Sequence, residues 1–104
     1  MAAPYSIKVF SGLVGPGSVT AYTVADGDVM VLRDVDIYNF STSANAIQVY
    51  DVIAGHEFIH QTLAGNTTYQ WQGRQVFVAG DELGVYATVA SAYFRCSGYL
   101  LSAT

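Results

Sequence analysis

His56 and His60 stand four residues apart, a spacing that on a helix brings two imidazoles to one face for a metal ion. On a strand the same spacing separates them by about 13 Å, too far to share one zinc. The stretch around them, HEFIHQTL, alternates, so both are read as strand histidines, exposed or hydrogen-bonded. Asp26 and Asp28 flank Gly27 and offer two oxygen ligands for calcium, but the further acidic positions and closing glutamate of an EF-hand loop are missing. A tight turn accounts for them. Glycoside hydrolysis needs two carboxyl groups roughly 5 to 9 Å apart across the scissile bond. Asp34 with Asp36, or Asp81 with Glu82, would supply the groups, yet nothing in the sequence draws them together over a cleft. No glycine-rich phosphate loop opens a helix, and no G-x-S-x-G elbow occurs. The residues give no catalytic, metal or cofactor set, so the expectation is a protein that is not an enzyme and carries no cofactor.

Cys96 is the only cysteine, which excludes a disulfide within the chain. It lies between Phe94 and Leu100, beside Ser97 and Gly98, in a strand pattern with no histidine near it in sequence. It reads as a small buried hydrophobe. Tyr22, Tyr38, Tyr50, Tyr69, Tyr86, Tyr93 and Tyr99 fall inside strands or at their ends, and Trp71 is the one tryptophan. Ordinary sandwich packing, with hydroxyls reaching water, explains these aromatics. The alternative is a subunit interface or a sugar-stacking platform, because tyrosine and tryptophan serve where an apolar face must also hydrogen-bond.

The elements that must position these residues are strands. Val29 to Phe40, VMVLRDVDIYNF, is the longest and organises the rest: Val35 and Ile37 alternate with Asp34, Asp36 and Tyr38, the period of a sheet with one buried face. The charged pair Arg33-Asp34 interrupts it at its centre. Tyr5 to Phe10 reads as a first strand, and Gly12, Gly15, Pro16 and Gly17 as the loop after it. Val19 to Val24 follows, then the Asp26-Gly27-Asp28 turn. Ser41 to Asn45 reads as a hairpin connection between the organising strand and Ala46 to Ile53. His56 to Leu63 comes next, and Thr67 to Val78 is a strand with a bulge or corner at Gln72-Gly73. Leu83 to Val89 and Ala92 to Leu101 read as a closing hairpin around Ala90-Ser91. Val24-Ala25-Asp26-Gly27-Asp28 and Val78-Ala79-Gly80-Asp81-Glu82 echo one another as similar turns entering strands. About eight short strands with turn signals every 8 to 12 residues predict an all-β, antiparallel two-sheet sandwich of jelly-roll type.

A chain of 104 residues suits one domain, residues 1–104, with Met1 to Pro4 as a short arm. Hydrophobic residues make up 52% and charged residues 12%, about half the usual charged share. Either Ser, Thr, Asn and Gln cover so thinly charged a surface, which the sequence partly supports, or much of it is buried against other subunits, the favoured reading. The net charge is −4, and the four basic residues, Lys8, Arg33, Arg74 and Arg95, are scattered along the sequence, which disfavours nucleic acid. Apolar runs fall well short of the roughly 20 residues of a membrane span. The N-terminus has no basic region followed by an apolar one, so no signal peptide is read and synthesis in a cytoplasm is expected.

Four pieces occur in order: Val31-Leu32-Arg33-Asp34, Trp71-Gln72-Gly73-Arg74-Gln75-Val76, Ala79-Gly80-Asp81-Glu82-Leu83 and Ser97-Gly98-Tyr99-Leu100-Leu101. This succession resembles small β-sandwich structural proteins of tailed bacteriophages, found as head decoration proteins or as tail and fibre-associated modules. The resemblance implies a virion component without enzymatic activity, assembled in the host cytoplasm, whose partners are its own copies and the major capsid or tail proteins. Arg33 and Arg74 sit at strand corners where Asp34 or Asp81 is available to pair with them. Breaking such a pair, if buried, costs about 3 to 5 kcal/mol. Arg33, Asp34, Trp71, Arg74 and Asp81 are therefore assigned to structure.

Three functions are weighed. The first is a capsid decoration protein, a homotrimer reinforcing contacts between capsomers, which a free-standing product with its own Met1 fits. The second is a small tail or fibre protein touching the host surface. The third is a carbohydrate-binding module that stacks a glycan on Trp71 and nearby tyrosines.

Overall fold

The computed structural model describes residues 5–89 and 91–102, and of Tyr5 and Ser102 only the backbone. Met1 to Pro4, the expected arm, and Ala90 of the expected last turn lie outside the described residues. Eight strands are present: β1 Tyr5–Val14, β2 Gly17–Thr23, β3 Asp28–Asn39, β4 Asn45–Asp51, β5 His56–Leu63, β6 Thr67–Val78, β7 Glu82–Ala87 and β8 Ala92–Ser102. They form two antiparallel sheets of four, in the orders β1-β8-β3-β6 and β2-β7-β4-β5. This is the doubly folded Greek-key order of a jelly roll, so the expected fold class holds. β3 and β6, at twelve residues each, set the long dimension of a body measuring 47 × 22 × 19 Å.

Alternation builds the core. Met30, Leu32, Val35, Ile37, Phe77, Phe94 and Cys96 from one sheet meet Ile47, Val49, Ile59, Leu83, Val85 and Ala87 from the other, all buried. Two expected hairpins are corrected by the topology. β3 and β4 lie in different sheets, as do β7 and β8, so the chain crosses the sandwich at Ser41 to Asn45 and again between the end of β7 and the start of β8. A polar linker of a few residues can fold back beside its strand or cross the roughly 10 Å between sheets, and its composition does not distinguish the two. Among consecutive strands only β4 and β5 pair directly. β1 also outruns its expected length. Gly12 pairs with Phe94 within the sheet, so the glycine continues the strand instead of ending it.

The two echoing turns come together. Val24 N–H donates to Asp81 O and Gly80 N–H to Val24 O, each at 3.0 Å. Gly27 and Gly80 hold φ of 82° and 90°, which a side chain would strain. With the β4–β5 turn, bonded through Val52 N–H to Glu82 O, they form one end of the sandwich. The opposite end is tied by two buried asparagines. Asn39 Nδ2 donates to the carbonyls of Ser43, Leu63 and Ala64, while Asn45 Oδ1 accepts from the N–H groups of Thr88 and Val89.

Candidate functional site

The centre of β3 is irregular because of a line of bulges. Leu32 faces Gln75 and Asp34 faces Gln72, so β6 places Gly73 and Arg74 opposite the single Arg33. Against β8, Leu32 faces Gly98 and Asp34 faces Ser97, which makes Arg33 the surplus residue. On the far side of β8, Lys8 faces Ser97 and Phe10 faces Cys96, leaving Val9 surplus on β1. A slip of one residue exchanges the faces of a strand. The bulge therefore switches the inward set from Met30 and Leu32 to Val35, Ile37 and Asn39, and lets Arg33 and Asp34 both lie outside the core. Gly98 is where the backbones crowd: a Cβ there would fall on the Val31 carbonyl oxygen.

Around this line a shallow depression of about 310 Å³ is lined by Ser6 and Ile7 of β1, Arg33 and Asp34 of β3, and Ser97 to Tyr99 of β8. Arg33 Nε–H donates to Gly73 O at 2.8 Å, which fixes the guanidinium at the bulge. The expected Arg33 or Arg74 ion pairs with Asp34 or Asp81 do not form, because the bulge gives Arg33 a backbone acceptor instead. The one ion-pair contact among the described residues joins His60 Nδ1 to Glu57 Oε2 at 3.0 Å on the exposed side of β5, where it contributes little. Asp81 Oδ2 accepts from Val78 N–H at 2.9 Å and closes the β6–β7 turn. Arg74 is exposed on β6. Trp71 faces inward, packing on Phe58 with ring centroids 5.4 Å apart, and a Cβ on Gly73 would press into its ring. The ring is thus part-buried against the core.

The depression belongs to a larger surface, the outer face of the β1-β8-β3-β6 sheet. At the end with the echoing turns this face is apolar: Val29, Val31, Tyr99 and Leu101 sit beside Val76 and Val78, which are 50% and 51% exposed. A polar belt follows, with Lys8, Asp34, Asp36, Arg95, Gln70 and Gln72. At the far end Leu13, Tyr38, Phe40 and Tyr93 are exposed again, the rings of Tyr38 and Phe40 6.1 Å apart. All four cations of the protein, Lys8, Arg33, Arg74 and Arg95, are exposed on this one sheet. Sequence order hid that gathering, because the four residues come from four strands that only the Greek-key order makes neighbours.

Burial pushes the Cys96 thiol up to about 12, with the Asp36 carboxylate adding to the effect, so the group is neutral and inert in the folded protein. His56 and His60 stay on β5, in the other sheet. No group of three or more His, Cys, Asp or Glu side chains that could hold a metal occurs among the described residues. What the surface can do chemically is contact: apolar area beside fixed donors and carboxylates.

No family model matches the chain, and neither does any curated protein sequence. Solved structures do share its fold. The NLP-core of Drosophila, described for pentamer formation and histone binding, is 16% identical over 95% of this chain and 98% of its own, with a TM-score of 0.58. A protein of Bacillus endospore appendages, a family of disulfide-linked pili, is 11% identical over 97% and 89%, at 0.59. A chain of the infectious bursal disease virus Gx strain is 12% identical over 97% of this chain and 32% of its own, at 0.51. At such identities the likeness is one of fold.

Proposed function

We propose that the protein is a non-enzymatic structural subunit of a virion, a decoration protein that sits on the outer shell of a bacteriophage head, associates with its own copies as a trimer and reinforces contacts of the major capsid protein. The observation that carries this reading is the outer face of the β1-β8-β3-β6 sheet. Its half-exposed valines at one end and its exposed tyrosines at the other flank a fixed polar belt, the composition of a surface that another protein covers. Low charge overall points the same way. The fold relatives add support, since a pentamer, a pilus and a virus are all multi-subunit assemblies. Purified virions test the proposal. A band near 11.1 kDa that is stoichiometric with the capsid protein is the expected result. A trace amount moves the protein to the tail or fibres, and absence from the particle overturns the reading.

A further inference from the structure

We infer that the outer face of the β1-β8-β3-β6 sheet receives the acidic turn end of a second copy of this chain. The two surfaces are complementary in both charge and apolar content. The face carries Lys8, Arg33, Arg74 and Arg95 against two half-buried carboxylates, Asp34 and Asp36. The remaining six acids lie elsewhere. Asp26 and Asp28 are in and after the β2–β3 turn, Asp51 closes β4, Glu57 is the second residue of β5, Asp81 precedes β7 and Glu82 opens it. The backbone bonds that join these turns bring them to one end of the sandwich, where no lysine or arginine stands among the described residues and Glu57 contacts only the imidazole of His60. That end also presents an apolar tip. Ile53 is 63% exposed beside the half-open Val52, matching the Val76 and Val78 strip on the face.

Charge selects this pairing over the symmetric ones. Laying the face of one copy on the face of another opposes two surfaces that each carry four cations against two carboxylates, net positive on net positive, and joining two turn ends opposes six carboxylates to six. Like-charge juxtaposition is a strong disfavouring element at an interface. End on face is the arrangement in which both signs and both apolar areas meet. Such a contact is heterologous, so it closes into a ring when the rotation between copies permits and otherwise propagates as a filament. The inference deepens the proposed function in that it rests on self-association, though not on residence in a virion.

Two variants used together test it. Arg74→Glu with Val76→Asp spoils the face, and Asp26→Lys with Ile53→Lys spoils the end; circular dichroism checks that both stay folded. By light scattering the unaltered protein is expected as a multiple of 11.1 kDa and each variant alone as a monomer. The equimolar mixture is expected at twice 11.1 kDa, because it holds one intact end and one intact face. An unaltered protein that stays monomeric, an end variant that assembles normally, or a mixture that stays monomeric overturns the contact. The virion gel answers separately whether the protein belongs to a particle. A measurement without variants uses the single lysine. Carbodiimide coupling of the assembled protein should join Lys8 to a turn-end carboxylate of another copy, and coupling between copies to Asp34 or Asp36 alone overturns the assignment.

Discussion

The two sheets obey the same alternation, yet their outer faces have diverged. Outside β2, β7, β4 and β5 lie Ser18, Thr20, Gln48, Tyr50, Tyr86 and Thr62, hydroxyls and amides content in water, with the Tyr50 ring laid over Gly84. Outside β1, β8, β3 and β6 lie valines, tyrosines and every cation. The period of two decides which residues are turned out, but it does not decide what they are. One sheet has the composition of a solvated surface and the other that of a surface awaiting a partner. Bulges interrupt both sheets, at Val9, Arg33 and Gly73–Arg74 in the cationic sheet and at Ala21 and Phe58 in the other.

A glycine in each sheet gives the sharpest way to break the comparison. At Gly98 an added methyl meets the backbone of Val31 and Leu32, which the bulge holds in place. At Gly84 it meets the Tyr50 ring and a methyl of Val52, side chains that can swing aside. Gly98→Ala is therefore expected to cost about 3 kcal/mol and Gly84→Ala about 1 kcal/mol, measured by urea unfolding. Equal costs would mean that the bulge line yields as easily as a surface ring, and the special status of the cationic sheet would be lost.

The next effect belongs to the end of the sandwich that serves both sheets. Asn39 donates to three carbonyls and accepts from Ser41 N–H through Oδ1 at 3.1 Å. Asn39→Leu strips those partners while keeping the volume. A loss of about 2 kcal/mol is expected from groups left without a donor. A melting temperature unchanged by the substitution would show that water replaces the amide at no cost.

How much of this was legible in the sequence depends on whether the signal was local. Val35, Ile37 and Tyr38 alternate along one strand, and the β6 bulge at Gly73 is a glycine inside a strand pattern, so both were readable. Asn39 and Asn45 were not, because a buried asparagine that bonds across loops looks the same in sequence as one in a polar connection. The crossing of the chain at Ser41 to Asn45 was hidden for the reason already given, that linker composition is silent about the sheet it reaches. The cationic face was hidden most deeply. Scattered residues argued correctly against a sequence-local basic run, yet the fold gathers them on one sheet.

The inner faces differ too, in a pH-dependent way. Cys96 is the one thiol, and it packs in the cationic sheet at no exposure. Its pKa is raised from 9.0 to about 12, so the unfolded chain releases the proton first as pH rises. Its contribution to stability is full below pH 9 and is lost progressively toward pH 12. Cys96→Ala is expected to lessen the fall in stability across that window, and the native thiol to react slowly with a thiol reagent. Rapid labelling of folded protein would contradict the burial.

The smallest expected change in stability is the most telling for the comparison. Val76, half-exposed on one outer face, and Gln48, part-exposed on the other, are strand positions turned away from the core, and surface substitutions away from special features usually fall within about 0.5 kcal/mol. Val76→Ser and Gln48→Ser should then melt at nearly the same temperature as the unaltered protein. Their association should not be alike. Removing an apolar side chain from a covered surface forfeits about 25 cal/mol for each Å² that the partner would have buried, whereas a residue facing water forfeits nothing. Sedimentation across a concentration series is expected to show Val76→Ser dissociating at higher protein concentration than the unaltered chain, and Gln48→Ser matching it. A reversal, with Gln48→Ser the weaker associator, would assign the partner surface to the β2-β7-β4-β5 sheet.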